Sequence, residues 1–235
     1  MNILGTIKRD VRGKANPRQA NINQRFFKTG IGEYGEGDQF LGLTVPESRV
    51  IAKKYRDCPL DQVAALLQSP MHEERMIALF ILINQFVRGE KTARRNIFDI
   101  YLRHTHCINN WDLVDASADK IVGAYLSNRS TAILAKLAKS KSLWERRIAI
   151  IATLWFIRQG HYDETLKIAR LLLRDPHDLI HKAVGWMLRE VGKRDRVSEE
   201  QFLERHHKTM PRTMLRYAIE KFPEPLRKAY LRNTV

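Results

Sequence analysis

The frame Glu-Arg-x-Ile-Ala followed by apolar residues occurs twice in this chain, in EERMIALFIL (73–82) and ERRIAIIATL (145–154), with the arginines 146 − 75 = 71 positions apart. Half of that offset is about one period of a helical-pair repeat, and such units of ~20–45 residues stack so that each buries its apolar face on its neighbours. A step of that size from Arg75 reaches Trp111 (111 − 75 = 36), the next reaches Arg147 (147 − 111 = 36) and the next Lys182 (182 − 147 = 35). Four successive units thus place a large or cationic side chain at one register. Equivalent positions of a solenoid line one continuous concave surface.

The rest of the chain fits that plan. Apolar residues recur at helical spacing in RMIALFILINQFV (75–87), RRIAIIATLWFI (146–157) and LIHKAVGWMLREV (179–191), and no stretch alternates as a strand does. Turn signals separate them at SPMHEE (69–74), RGEKT (88–92), LSNRS (126–130), RQGHYD (158–163) and LRDPHD (173–178). The glycine-rich stretch TGIGEYGEGDQFLGLTVPES (29–48) reads as an ordered loop. Residues 1–15 read as a mobile basic tail, and 16–235 as one repeat domain. Two cysteines, Cys58 and Cys107, are too few for a disulfide framework, and no long apolar run suggests a leader or a membrane span. A soluble protein of a reducing compartment is expected.

Charge narrows the partner. Lys and Arg number 41 against 26 Asp and Glu, a net charge of +15, which attracts polyanions and makes nucleic acid the leading candidate. A carboxylate in such a chain therefore needs a reason, and NNWDLVDASADK (109–120) holds Trp111 and Asp115 four residues apart, on one helix face. Lys182, Trp186 and Arg189 form a similar row, and Arg147 heads the intervening helix with Arg146 beside it. Taken singly, a Trp in an amphipathic helix is most often core and an Asp most often solvated or ion-paired; the shared register sets these apart. Asp112 reads as a first-turn residue favoured by the helix dipole.

Four motifs, FLGLTVPESR (40–49), NWDLVD (110–115), LWERRIAI (143–150) and KAVGWMLRE (182–190), resemble in order and spacing those of the HEAT-like-repeat alkylpurine DNA glycosylases, the AlkD-type alkylation-repair family. The resemblance spans nearly the whole chain. It implies an all-α fold, an α-solenoid of HEAT-like helical-pair repeats with a basic concave DNA-binding groove. It implies that Trp111 and Trp186 flank the damaged nucleotide, that Asp115 is the catalytic carboxylate and that Arg147 is the groove arginine beside it. Arg147, Lys182 and Arg189 would hold phosphates, with Arg146, Phe26, Phe27 and Thr44 also among the DNA-binding residues; Phe26 stands where the family has a DNA-contacting Tyr. The implied partner is double-stranded DNA containing alkylated bases, met by a monomer in the bacterial cytoplasm or nucleoid, with no cofactor and with the base left largely in the duplex.

The chemistry is consistent with these residue types. Cleavage of an N-glycosidic bond leaves positive charge on the sugar, which a fixed carboxylate shielded from water stabilises. Cationic 3-methyladenine or 7-methylguanine leaves readily, so no strong general acid is needed, and an indole face favours a nearby cation by ~0.5–2 kcal/mol. A non-catalytic helical-repeat module that binds distorted or branched DNA is the alternative, and a protein-binding solenoid is disfavoured by the charge. RHTHC (103–107) lacks a second ligand cluster for zinc, so a helix end is expected there, and His206 and His207 are expected to face solvent. No phosphate-binding loop, dinucleotide fingerprint or HExxH motif is present.

Overall fold

Among residues 3–235, which the structure, a computed structural model, describes, every regular element is a helix and the only β pairing is one isolated parallel bridge between Gln39 and Met71. The chain divides into two compact units, the first ending at Ser117 and the second formed by Ala118–Val235, where a single domain over 16–235 is the expectation from sequence.

The first unit is built around one helix that is apolar nearly all round. It contains α1 (Ile3–Arg12), α2 (Pro17–Phe26), α3 (Val45–Lys54), α4 (Leu60–Leu67), α5 (His72–Arg88), α6 (Lys91–Arg103) and α7 (Trp111–Ala118). In α5 every residue from His72 to Leu82 is buried, Met76–Leu82 as a run without a polar face and the charged turn His72–Arg75 because its side chains are hydrogen-bonded, and α1, α3, α4 and α6 pack around it. Helix α3 starts at a capping box: the Thr44 hydroxyl accepts the Glu47 N–H, and the Glu47 carboxylate accepts the Thr44 N–H at 2.9 Å. Helix α1 corrects the expectation of a mobile tail. Its basic residues conceal an i, i+4 apolar pair, Ile7 and Val11, that is fully buried, while Asp10 accepts from Lys54 Nζ at 2.5 Å and from the Tyr55 hydroxyl at 2.6 Å.

The second unit opens with a π-helical turn, Asp119–Gly123, whose buried Asp119 is ion-paired with Lys120 and Arg158. Then follow α8 (Ala124–Leu126), α9 (Ala132–Ala138), α10 (Leu143–Ala152), α11 (Leu154–Arg158), α12 (Asp163–Leu171), α13 (Asp178–Gly192), α14 (Arg196–His206), α15 (Arg212–Ala218) and α16 (Glu224–Arg232). Its central helix is α13, which buries Ile180, Ala183, Val184, Met187, Leu188 and Val191 against α10, α12, α14 and α15. Gly185 lets α15 approach: a Cβ there would lie 2.4 Å from the Met214 carbonyl oxygen, so the glycine of the KAVGWMLRE motif is required by packing. His207, expected at solvent, is instead buried, with Nδ1 2.8 Å from the Leu203 carbonyl and the ring edge-on to Tyr230.

The two copies of the Glu-Arg-x-Ile-Ala frame fold alike in detail. Arg75 donates through Nη1 to the Ser69 and Pro70 carbonyls, and Arg146 donates through Nη1 to the Ser140 and Lys141 carbonyls, 71 residues on in each case. Both arginines tie a helix to the loop before it.

Glu199 of α14 is buried with Oε1 lacking a hydrogen-bond partner among the described residues. Burial pushes its carboxyl up to about 8, against the opposing charge of Arg196. An acid whose folded value is raised costs stability progressively as pH climbs from its ordinary value of 4.5 through 8. Glu199→Gln is therefore expected to raise Tm by on the order of 5 °C at pH 8 and by much less at pH 4. Thermal unfolding at the two pH values checks this, and equal gains would count against it.

Candidate active site

The residues that hold the first turn of α7 come from three separate parts of the first unit. His72, at the start of α5, places Nδ1 3.0 Å from Asp38 Oδ2 and Nε2 2.8 Å from Asp112 Oδ2. Asp38 also pairs with the Arg75 guanidinium and accepts from Asn110 Nδ2 at 3.2 Å. Asn110 in turn accepts the Trp111 N–H at 2.8 Å, and Asp112 accepts the Leu113 N–H at 2.9 Å. Trp111 and Asp112 are thereby fixed at the helix start, through side chains on the 38, 72 and 110 segments.

Two cations, Arg75 and the His72 imidazolium, balance two carboxylates in this cluster. Burial alone would lower His72, but the charge and hydrogen bond of Asp112, with those of Asp38, lift it to about 9. Burial alone would raise Asp38, yet its hydrogen bond with His72 and the charge of Arg75 hold it below its ordinary value. The loop delivers Asp38 because it can lie close to its neighbours: a Cβ on Gly35 would sit 2.4 Å from the Phe27 carbonyl oxygen, and the His72 N–H donates to the Gln39 carbonyl at 2.8 Å.

Aromatic rings cover the cluster. Phe27 stacks on Phe40 with centroids 5.0 Å apart and on Trp111 at 5.4 Å, and Phe40 stacks on His72 at 4.6 Å. A charged imidazole over a ring face is favourable. Phe26 packs edge-on to Trp111 at 6.0 Å and remains 61% exposed. Beside this shelf lies a cavity of about 380 Å³ lined by Phe26, Phe40, Leu43, Met76, His72 and Asp112. Asp115, half-buried, follows Trp111 by four residues on α7 and so shares its face.

The expected site residues thus fall into two groups. Within the first unit Phe26, Phe27 and Trp111 come together, and Asp115 lies one helical turn beyond Trp111. Thr44 is at the cavity too, but its hydroxyl is engaged in the α3 cap, donating to Glu47 Oε2 at 2.7 Å. Within the second unit Arg147 is buried and donates to the Leu179 carbonyl at 2.6 Å. Lys182 pairs with Asp178 at 2.7 Å, Trp186 Nε1 donates to Glu190 at 3.3 Å, and Arg189 is ion-paired with Glu220. Arg146, expected to bind DNA, has its guanidinium committed to Asp175 at 2.6 Å and to the two loop carbonyls. The true partner of Arg75 in the repeat is Arg146, so a step to Arg147 overshoots by one residue.

Asp38, His72 and Asn110 carry no signal in sequence spacing; SPMHEE reads only as a break, and Asp112 only as a dipole-favoured residue. His104 and His106 stack at 6.0 Å on a short 3-10 turn, with His104 Nδ1 2.8 Å from the Ile100 carbonyl. Among the described residues no group of three or more His, Cys, Asp or Glu is arranged to hold a metal, and no helix is long and apolar enough to cross a membrane.

Comparison with known proteins is consistent with this architecture. The sequence profile of the family described as DNA alkylation repair enzyme matches residues 7–222. A solved structure described as a predicted DNA alkylation repair enzyme from Enterococcus faecalis superimposes with a TM-score of 0.71 at 20% identity, covering 89% of this chain and 97% of that one. At that identity the likeness shows the fold. No curated protein sequence matches significantly.

Proposed function

The chain belongs to the DNA alkylation repair enzyme family, and on that premise we propose that it is a DNA glycosylase. It hydrolyses the N-glycosidic bond of cationic alkylated purines, such as 3-methyladenine and 7-methylguanine, in duplex DNA and leaves an abasic site. The observation that carries this reading is the placement of Asp115 one turn after Trp111 on a helix whose first turn is locked by His72, Asp38 and Asn110. A carboxylate that does not move stabilises an oxocarbenium-like sugar without reorganisation at the moment of reaction and can orient the attacking water. The leaving base is already cationic, so no general acid and no cofactor enter the scheme.

In this reading Trp111 and Trp186 offer indole faces to the cationic nucleotide, and Arg147 is a fixed cation near it. Lys182 and Arg189 exchange Asp178 and Glu220 for backbone phosphate, as charge-assisted pairs do. The exposed Phe26 and the ring of Phe27 meet the edge of the duplex, and the protein acts as a monomer in the cytoplasm or nucleoid. The geometry of Arg146 and Thr44 favours structural roles for their side chains.

Incubation with methylated duplex DNA tests the proposal. Free 3-methyladenine or 7-methylguanine in the supernatant, with abasic sites cleavable by alkali, is the expected result. Tight binding without release would replace the glycosylase with a non-catalytic DNA-binding module.

A further inference from the structure

A second cavity, of about 370 Å³, lies between α3 and α5, apart from the aromatic shelf. Arg49, Lys53, Arg56 and Arg88 surround it, Phe80 forms its floor and Val87, 66% exposed, its rim. Arg49 holds its guanidinium carbon 4.1 Å above the centroid of the buried Phe80 ring, which fixes a planar cation with one side on the ring and the residue open to solvent. One carboxylate, Asp57, serves the group, pairing with Arg88 at 2.8 Å and with Arg56 at 3.5 Å. Among the described residues neither Arg49 nor Lys53 makes an ion pair. Arg88 is held further by donating to the Arg56 carbonyl at 3.1 Å.

Both cavities are bordered by α5. His72 and Met76 line the first, and Phe80, Ile83, Asn84, Val87 and Arg88, further along the helix, line the second. Met76 and Asn84 are separated by ~12 Å at the helical rise of 1.5 Å per residue, a span of a few nucleotides. Cations alone would suit any phosphate. A guanidinium fixed on an aromatic ring above apolar Ile83 and Val87 suits something more, a flat base that stacks on it. In an intact duplex the base faces are covered by their neighbours.

We propose that this cavity binds an unpaired nucleotide of a DNA strand, with the base stacked on Arg49 and the phosphates held by Lys53, Arg56 and Arg88. The inference rests on DNA being the ligand and does not require base excision. Fluorescence anisotropy with undamaged DNA tests it, comparing a blunt duplex with the same duplex carrying a short single-stranded overhang. The wild-type protein is expected to favour the overhang by about tenfold, in keeping with one base stacked on a planar side chain. An overhang of abasic nucleotides should lose most of that preference. Arg49→Ala and Arg49→Lys should both abolish it while leaving blunt-duplex affinity within about twofold, because Lys keeps the charge and lacks the plane. Circular dichroism on each variant confirms that it is folded. Equal wild-type affinity for the two DNAs would overturn the proposal, and so would a loss in Arg49→Ala that is the same for both. Because no excision is read, these outcomes are independent of the glycosylase reading.

Discussion

Asp115→Asn is expected to lower single-turnover excision of a methylpurine by ~10²–10³-fold, the cost of deleting a preorganised group that meets charge developing in the transition state. The substitution keeps size and removes charge. Asp115 is half-buried on α7, and the turn before it is pinned by Asn110, Asp112 and His72, so the carboxylate has little freedom to relax away from a bound sugar. DNA binding should change little or tighten slightly, since an anion beside phosphates is unfavourable in the ground state and is retained for the transition state. Excision in the folded fraction is the deciding readout, and its loss is expected whatever the change in Tm. An Asp kept only for an ion pair would give the opposite result, a lower Tm with excision intact in the folded fraction. Single-turnover excision and thermal unfolding on one preparation separate the two, and intact excision would remove the catalytic assignment.

What was legible in the sequence was whatever obeys a period. The buried stripe of α5 and that of α13 are visible as apolar residues at helical spacing, and the repeated Glu-Arg-x-Ile-Ala frame marks a real structural repeat, down to the loop carbonyls that Arg75 and Arg146 clamp. The finer register was not legible. Halving 71 assumes equal units, yet α6 and a 3-10 turn lie between Arg75 and Trp111, whereas α7, the π-helical turn, α8 and α9 lie between Trp111 and Arg146. Periodicity is also silent about meetings between loops and helix ends. Asp38 sits in a glycine-rich loop, His72 at a break and Asp112 in a first turn; only the folded chain brings them within hydrogen-bonding distance. Helix α1 does carry a period, with Ile3, Leu4, Ile7 and Val11 at helical spacing, and the tail reading gives its Lys and Arg more weight than that short pattern.

The cluster around His72 yields the second large effect. His72→Asn should lower Tm by on the order of 10 °C at pH 6, because it removes the cation that buried Asp38 and half-buried Asp112 share and leaves Arg75 alone to balance them, a loss of ~3–5 kcal/mol. The sign of the pH dependence follows from the raised His72 value. Protonation is favoured in the folded protein, so the contribution of His72 is complete below its ordinary value of 6.5 and disappears as pH rises through about 9. Wild-type Tm should therefore fall between pH 6 and 9.5 more steeply than that of His72→Asn, and the two curves should converge at the alkaline end. Excision should follow the same course, since Asp112 and Trp111 lose the anchor that fixes α7. The conservative test is Asp112→Asn in the two backgrounds: a carboxylate that acts through His72 costs far less once His72 is gone, and the non-additivity should exceed about 1 kcal/mol. Parallel pH curves for wild type and His72→Asn, or fully additive losses, would show that the imidazole is packed beneath the aromatic shelf as a neutral ring and that its charge does not hold α7.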